Sequence, residues 1–194
     1  MSVKKNKKQK IGKGDYGYIR HQRKWEIAKT VFLFLLSLAI YLTGYYSTGT
    51  NKNLLTIVAV LGCLPASKCA VSMIMFLRAK GCSQELHSRI ASHSQGLPQL
   101  YDNVLTSYEA AFQIPHMVYK GGSLIGIAVD PKCRADACEK HLLSMCRQDG
   151  ISDITVKIFQ DVPKYLNRLD QLRALDAEDD RTQAVLSLIR AISI

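Results

Sequence analysis

Apolar positions follow contrasting rhythms along this chain. From Thr30 to Tyr46 they are nearly continuous, and TVFLFLLSLAIYLTGYY holds no charge. From Leu54 to Leu77 they are continuous again, with Lys68 as the single charge. Beyond Leu77 they become intermittent, recurring every second residue or every three to four. A bilayer-spanning helix needs about 20 mostly apolar residues. The two continuous runs therefore predict spanning helices over 30–46 and 54–77, joined by the polar, turn-prone stretch Ser47 to Asn53. The expected class is α/β: an N-terminal transmembrane helical hairpin followed by one small cytoplasmic α/β domain with a mixed sheet.

The intermittent part resolves into shorter elements. Ser83 to His93 reads as a short polar helix. Pro98 suits the first turn of another, and Leu100, Tyr101, Val104, Leu105 and Tyr108 follow on one helical face. The stretch Tyr108 to Ile114 fits either the end of that helix or a strand. His116 to Lys120 and Ser123 to Val129, joined by Gly121-Gly122, read as a β-hairpin. Arg134 to Gln148 reads as a helix stopped at Gly150, and Asp153 to Phe159 alternates as a strand. Asp161 caps a further helix with Pro163 in its first turn. A last amphipathic helix is expected from Asp179 to Ile194, with Ala184, Val185, Leu188, Ile189 and Ile192 on its apolar face. It can dock on the domain or on a partner.

Charge sets the orientation. Residues 1–29 carry ten Lys and Arg against Asp15 and Glu26, whereas from Gly81 onward twelve basic residues face fourteen acidic ones. The net charge of +10 therefore belongs to a tail and not to the domain. A domain without a basic surplus is not expected to bind nucleic acid. Arg20, Arg23, Lys24 and Lys29 precede the first run, and Arg78, Lys80 and Arg89 follow the second. Only Lys52 lies between the runs, so both termini are expected in the cytoplasm, as in a multi-pass protein of the plasma membrane. Tyr45-Tyr46 does not suit signal-peptide cleavage, so the first run is expected to be retained. Residues 1–29 then form a basic, flexible tail. Lys4, Lys5, Lys7, Lys8, Lys10 and Lys13 are placed to attract anionic lipid headgroups, and Trp25 to anchor at the interface.

Polar residues inside the apolar runs are the first chemical candidates. Lys68 lies nine residues before Leu77, about 14 Å along a helix, where a charge is costly. Ser37 and Tyr41 on the first run fall at comparable depth and are candidates to hydrogen-bond it. Two other readings are open: Lys68 snorkels to the interface past a span broken at Pro65, or it meets a partner. Six cysteines on the membrane and cytoplasmic sides are expected as free thiols. Cys133, Cys138, His141 and Cys146 lack convergent spacing, so neither a metal nor a cofactor is expected.

Asp130-Pro131-Lys132 closes the second strand of the hairpin. With Glu109 or Asp102 upstream, and with the order helix, strands, helix, strand, it resembles the restriction-endonuclease-like fold. In that family an Asp followed by Asp/Glu-x-Lys holds a divalent cation and positions water. The resemblance implies a metal-dependent phosphodiester hydrolase with Asp130, Lys132 and Glu109 as candidate catalytic residues. Pro131 inside the motif departs from the pattern.

No acid, base, nucleophile and metal set converges along the chain. The leading expectation is a non-enzymatic membrane-anchored adaptor or regulator, resembling a bacterial inner-leaflet anchor, with a protein partner of unknown identity. A small oligomeric channel or transporter subunit, built as a homo-oligomer around Lys68, is a further reading.

Overall fold

The computed structural model describes residues 11–50, 53–107, 110–177 and 179–194. The elements follow in the order α1 (Tyr18–Thr48), α2 (Leu54–Arg78), α3 (Gln84–Ala91), β1 (Gln99–Thr106), β2 (Ala111–Lys120), β3 (Ser123–Ile127), α4 (Ala135–Gln148), β4 (Thr155–Phe159), α5 (Val162–Ala174) and α6 (Thr182–Ile192). Contacts divide the chain into a helical unit, Ile19–Ala79, and an α/β unit formed by Lys80–Ile194 with the described residues up to Tyr18.

The helical unit is packed inside out. Its buried positions are Ile19, Glu26, Thr30, Ser37 and Gly44 on α1 and Ala59, Ala66 and Phe76 on α2. Large apolar side chains such as Phe32, Leu35, Leu61 and Leu64 point outward. Small residues let the backbones approach: a Cβ on Gly62 would lie 2.8 Å from Ser37 Oγ, and one on Gly44 would lie 2.8 Å from Leu55 Cβ. Asn53 caps α2 by accepting the Thr56 N–H at 2.8 Å. At the opposite end Arg23 donates to the Phe76 and Ala79 carbonyls at 3.0 and 2.6 Å. Those are carbonyls that the end of α2 leaves unpaired. Both helices are long and apolar enough to cross a membrane.

The α/β unit carries a four-stranded mixed sheet in the order β1-β2-β3-β4. The first three strands are antiparallel neighbours, and β3 pairs β4 in parallel through the α4 crossover. Gly121 and Gly122 supply the two positive φ angles, 55° and 72°, that the tight β2–β3 turn requires. One face of the sheet packs Leu124, Val156 and Ile158 against Leu142 of α4 and Ile189 of α6. The other packs Val118, Ile125 and Ile127 against Ile90 of α3 and Leu169 of α5. Helices on both faces bury both sides of the strands.

Two expectations need correction here. Where a helix is expected from Pro98, Gln99–Thr106 form strand β1, and Tyr108 lies outside the described residues. Asp102 stands opposite Pro115, since Tyr101 pairs His116 and Asn103 pairs Ile114. Pro115 has no N–H to give to the ladder, and Asp102 adopts a positive φ of 56°. Both strands exchange faces at that step. Leu100 and Leu105 therefore share one core although five residues apart, while Tyr101 lies in the other. A strand that switches faces reproduces the helical spacing of its apolar residues.

The second correction concerns the N-terminal tail. Ile11 to Gly17 is not a free flank but lies along the outer edge of β1. The Tyr101 N–H donates to Gly14 O at 2.8 Å, and Lys13 Nζ donates to Ser193 O at 3.0 Å. The C-terminus covers the rest of that edge, with the Ile194 N–H donating to Val104 O at 3.0 Å. An uncovered edge strand invites association, and here both chain ends close it. Thus α6 docks on its own sheet.

Candidate functional site

Asp130 follows β3 in the loop that leads to α4. It is half-buried, and its Oδ1 accepts the Lys132 N–H at 2.9 Å, the local turn that Asx residues form. It borders a crevice of about 240 Å³ with Lys80, Ser83, Gln113 and Pro115. Asp130 is the only acid on that lining. Lys132 is exposed and lies outside it. Glu109 lies outside the described residues. Asp102 is spoken for: Oδ1 accepts the Cys82 N–H at 2.6 Å and Oδ2 the Gly17 N–H at 2.9 Å. Among the described residues no three His, Cys, Asp or Glu side chains are grouped to hold a metal ion. Of the residues that the endonuclease resemblance selected, the two described acids, Asp130 and Asp102, are therefore not grouped for a metal ion.

A wider depression of about 980 Å³ opens at the N-terminal end of α4, with Cys133, Arg134, Lys140, His141 and Gln160 on its rim. Its floor is shallow, and Gln160 spends its amide on the Cys133 carbonyl at 2.7 Å. Cys138 and Cys146 sit in the core away from it. Burial pushes the Cys138 thiol up to about 12 and raises that of Cys146. Both are core thiols and not nucleophiles.

In the helical unit, Lys68 and Ser37 point differently. Ser37 is buried against Gly62, whereas Lys68 is exposed on α2. No hydrogen bond joins Lys68 to Ser37 or Tyr41 among the described residues, which corrects the expected pairing. The helix also continues through Pro65 without a break. Of the headgroup lysines, Lys4, Lys5, Lys7, Lys8 and Lys10 lie outside the described residues, while Lys13 holds the C-terminal backbone. Trp25 is exposed.

What the sequence concealed is the Asp102 clamp. Gly17 immediately precedes α1, and Cys82 lies four residues beyond the last residue of α2. One buried carboxylate therefore holds the chain on both sides of the apolar helices. Gly81 approaches so closely that a Cβ there would lie 2.9 Å from Asp102 Oδ1. Nothing local in the sequence marks Asp102 for this, because its partners are 85 and 20 residues away.

A second concealed feature is His116, fully buried on β2. Gln99 Oε1 can only accept, so the 2.9 Å contact fixes the proton on Nε2. Nδ1 then accepts the Tyr165 O–H at 2.7 Å. Desolvation holds the imidazole down to about 3, with the nearby His87 adding to the shift. Desolvation raises the Tyr165 phenol well above its ordinary value. Tyr16 of the N-terminal segment stacks on His87 at 3.9 Å and meets the edge of Tyr101. His116 is neutral and both its ring nitrogens are satisfied, which suits a structural network. Comparison with protein-family models, curated proteins and solved structures found no match.

Proposed function

We propose that the chain is a non-enzymatic adaptor or regulator of the plasma membrane. It spans the bilayer twice and presents its α/β domain, with both termini, to the cytoplasm. The observation that carries this reading is the Asp102 clamp. It holds Gly17 and Cys82, which flank the helix pair in sequence, on one carboxylate of the domain. Such a domain is suited to act at the membrane surface and not at the end of a flexible reach. The basic residues before α1 and after α2 support the orientation. The polar loop of a few residues on the far side leaves little surface for an external ligand.

The test is native purification of the full chain in mild detergent, with the mass of the complex measured. The adaptor reading expects one stoichiometric protein companion that dissociates when the domain is unfolded by Asp102→Ala. A homo-oligomer of defined mass without a companion would overturn it and favour the channel reading.

A further inference from the structure

We infer that Lys29 and Lys68 reach the lipid phosphates of the cytoplasmic leaflet from one level of the helix pair, with Trp25 marking that interface. The inference rests on the bilayer-spanning reading and adds a ligand to it.

The register of the two helices carries the argument. Ser37 faces Gly62, Gly44 faces Leu55, and Arg23 reaches the Phe76 carbonyl, so the helices run antiparallel in a constant register. Six residues from Ser37 back to Val31, and six from Gly62 on to Lys68, put Lys68 level with Val31. Lys29 is then only about 3 Å nearer the cytoplasmic end. The two lysines are not separate accidents of sequence but one cationic level. Both are exposed.

The bilayer can be placed on this register independently. Trp25 is 56% and Tyr46 82% exposed, and Tyr45 is also exposed, on opposite ends of α1. Trp25 and Tyr45 are twenty residues apart, which is about 30 Å of helix and the thickness of a hydrocarbon core. Aromatic side chains at both ends are what an interfacial belt requires. With Trp25 at the boundary, the Lys29 and Lys68 backbones lie about 6 and 9 Å inside it. A lysine stem spans roughly 6 Å, so the Lys29 ammonium reaches the boundary by snorkelling, while that of Lys68 stops about 3 Å inside it and meets phosphates where the bilayer thins locally around the charge. Lys29 also approaches Glu26 Oε1 at 2.6 Å, toward the cytoplasmic end, so its stem already runs in that direction. Lys68 has no partner among the described residues and none of its near neighbours in sequence is acidic. The helix pair of a second copy offers it no free carboxylate, because Glu26, the one acid between Tyr18 and Ala79, is buried and engaged by Lys29 and Gln22. A lipid phosphate is the anion that the bilayer supplies at this depth.

The experiment uses the full chain in vesicles of phosphatidylglycerol and phosphatidylcholine. Trp25 is the only tryptophan, so its quenching by lipids brominated at defined acyl depths reads its position directly. Strongest quenching by the shallowest bromines is expected; strongest quenching at mid-chain would overturn the placement. Retention of phosphatidylglycerol is then measured by native mass spectrometry for Lys29→Gln, Lys68→Gln and the double variant, with Lys68→Arg as the conservative control. Each loss should weaken retention about five-fold, the scale of one interfacial cation, and Lys68→Arg should restore it. Unchanged retention in the double variant, with helicity intact, would overturn the inference. Release of the wild-type chain from membranes by alkaline carbonate would remove both the spanning reading and this one. Retention in the membrane with deep Trp25 quenching would remove only this one.

Discussion

The two units of this chain solve packing in opposite ways. In Ile19–Ala79 the buried positions between Thr30 and Ala66 are small, such as Ala59, Ala66 and Ser37, and most large apolar side chains face out, Ile19 and Phe76 at the domain-side ends excepted. In the α/β unit the buried positions are Leu100, Tyr119, Leu142 and Tyr165, and few large apolar side chains are exposed. Of the exposed large apolar residues, all but Ile11, Val129 and Leu175 lie between Trp25 and Leu77. An apolar exterior of that extent is not a stable arrangement in water. It is the arrangement that lipid favours, where helices associate by close approach and not by hiding oil from water. The difference teaches where each unit keeps its stability. The helical unit depends on what is absent at its interface, and the domain on what fills its interior.

Substitutions should therefore have opposite polarity in the two units. The largest effect is expected at the clamp. Asp102→Ala strands the Gly17 and Cys82 N–H groups and places alanine at a positive φ, at a cost of about 3–5 kcal/mol. Asp102→Asn keeps one acceptor and tolerates that φ, so it should cost roughly half as much; chemical unfolding of the domain in detergent reads both. Next, Leu142→Ala should cost the domain about 3 kcal/mol through the cavity it leaves, with no change in the helix pair.

Acid should also distinguish the units. His116 is held neutral in the fold, while the unfolded chain protonates it below about 6.5. The unfolded state thus binds more protons between pH 6.5 and about 3. Stability should rise with pH across that window and be level above it, with about 2 kcal/mol lost by pH 5. Unfolding midpoints measured from pH 8 down to 5 test this. Tyr165→Phe should lower the plateau by removing the donor to Nδ1. The smallest effect is expected at the helix contact. Gly62→Ala should cost about 1 kcal/mol by pressing a methyl on Ser37 Oγ, and Ser37→Ala should relieve it. A helix pair indifferent to Gly62→Ala would erase the contrast between the units.

How much of this was legible in the sequence follows the same division. The helix pair was plain, because a continuous apolar run has one meaning at that length; α1 extends it to Tyr18 because Arg20, Arg23 and Lys24 are also good helix formers. The β2–β3 hairpin and helices α3, α4 and α5 stood where Gly121-Gly122, Ser83, Gly150 and Asp161 put them. Strand β1 was hidden, because the face switch at Asp102 and Pro115 disguised its period. The packing of Ile11–Gly17 was hidden too, because its glycines serve contacts with residues far along the chain. The clamp and the His116 network are tertiary facts with no local pattern to betray them.

The account stands on the helices crossing the bilayer with the loop on one side and the domain on the other. The most direct test is labelling with a membrane-impermeant maleimide in intact cells expressing the full chain or its Thr50→Cys variant. The account predicts that Thr50→Cys is labelled in intact cells and that the parent, with its six native cysteines, is labelled only after the cells are opened. Labelling of the parent in intact cells, or of Thr50→Cys only after lysis, would contradict it.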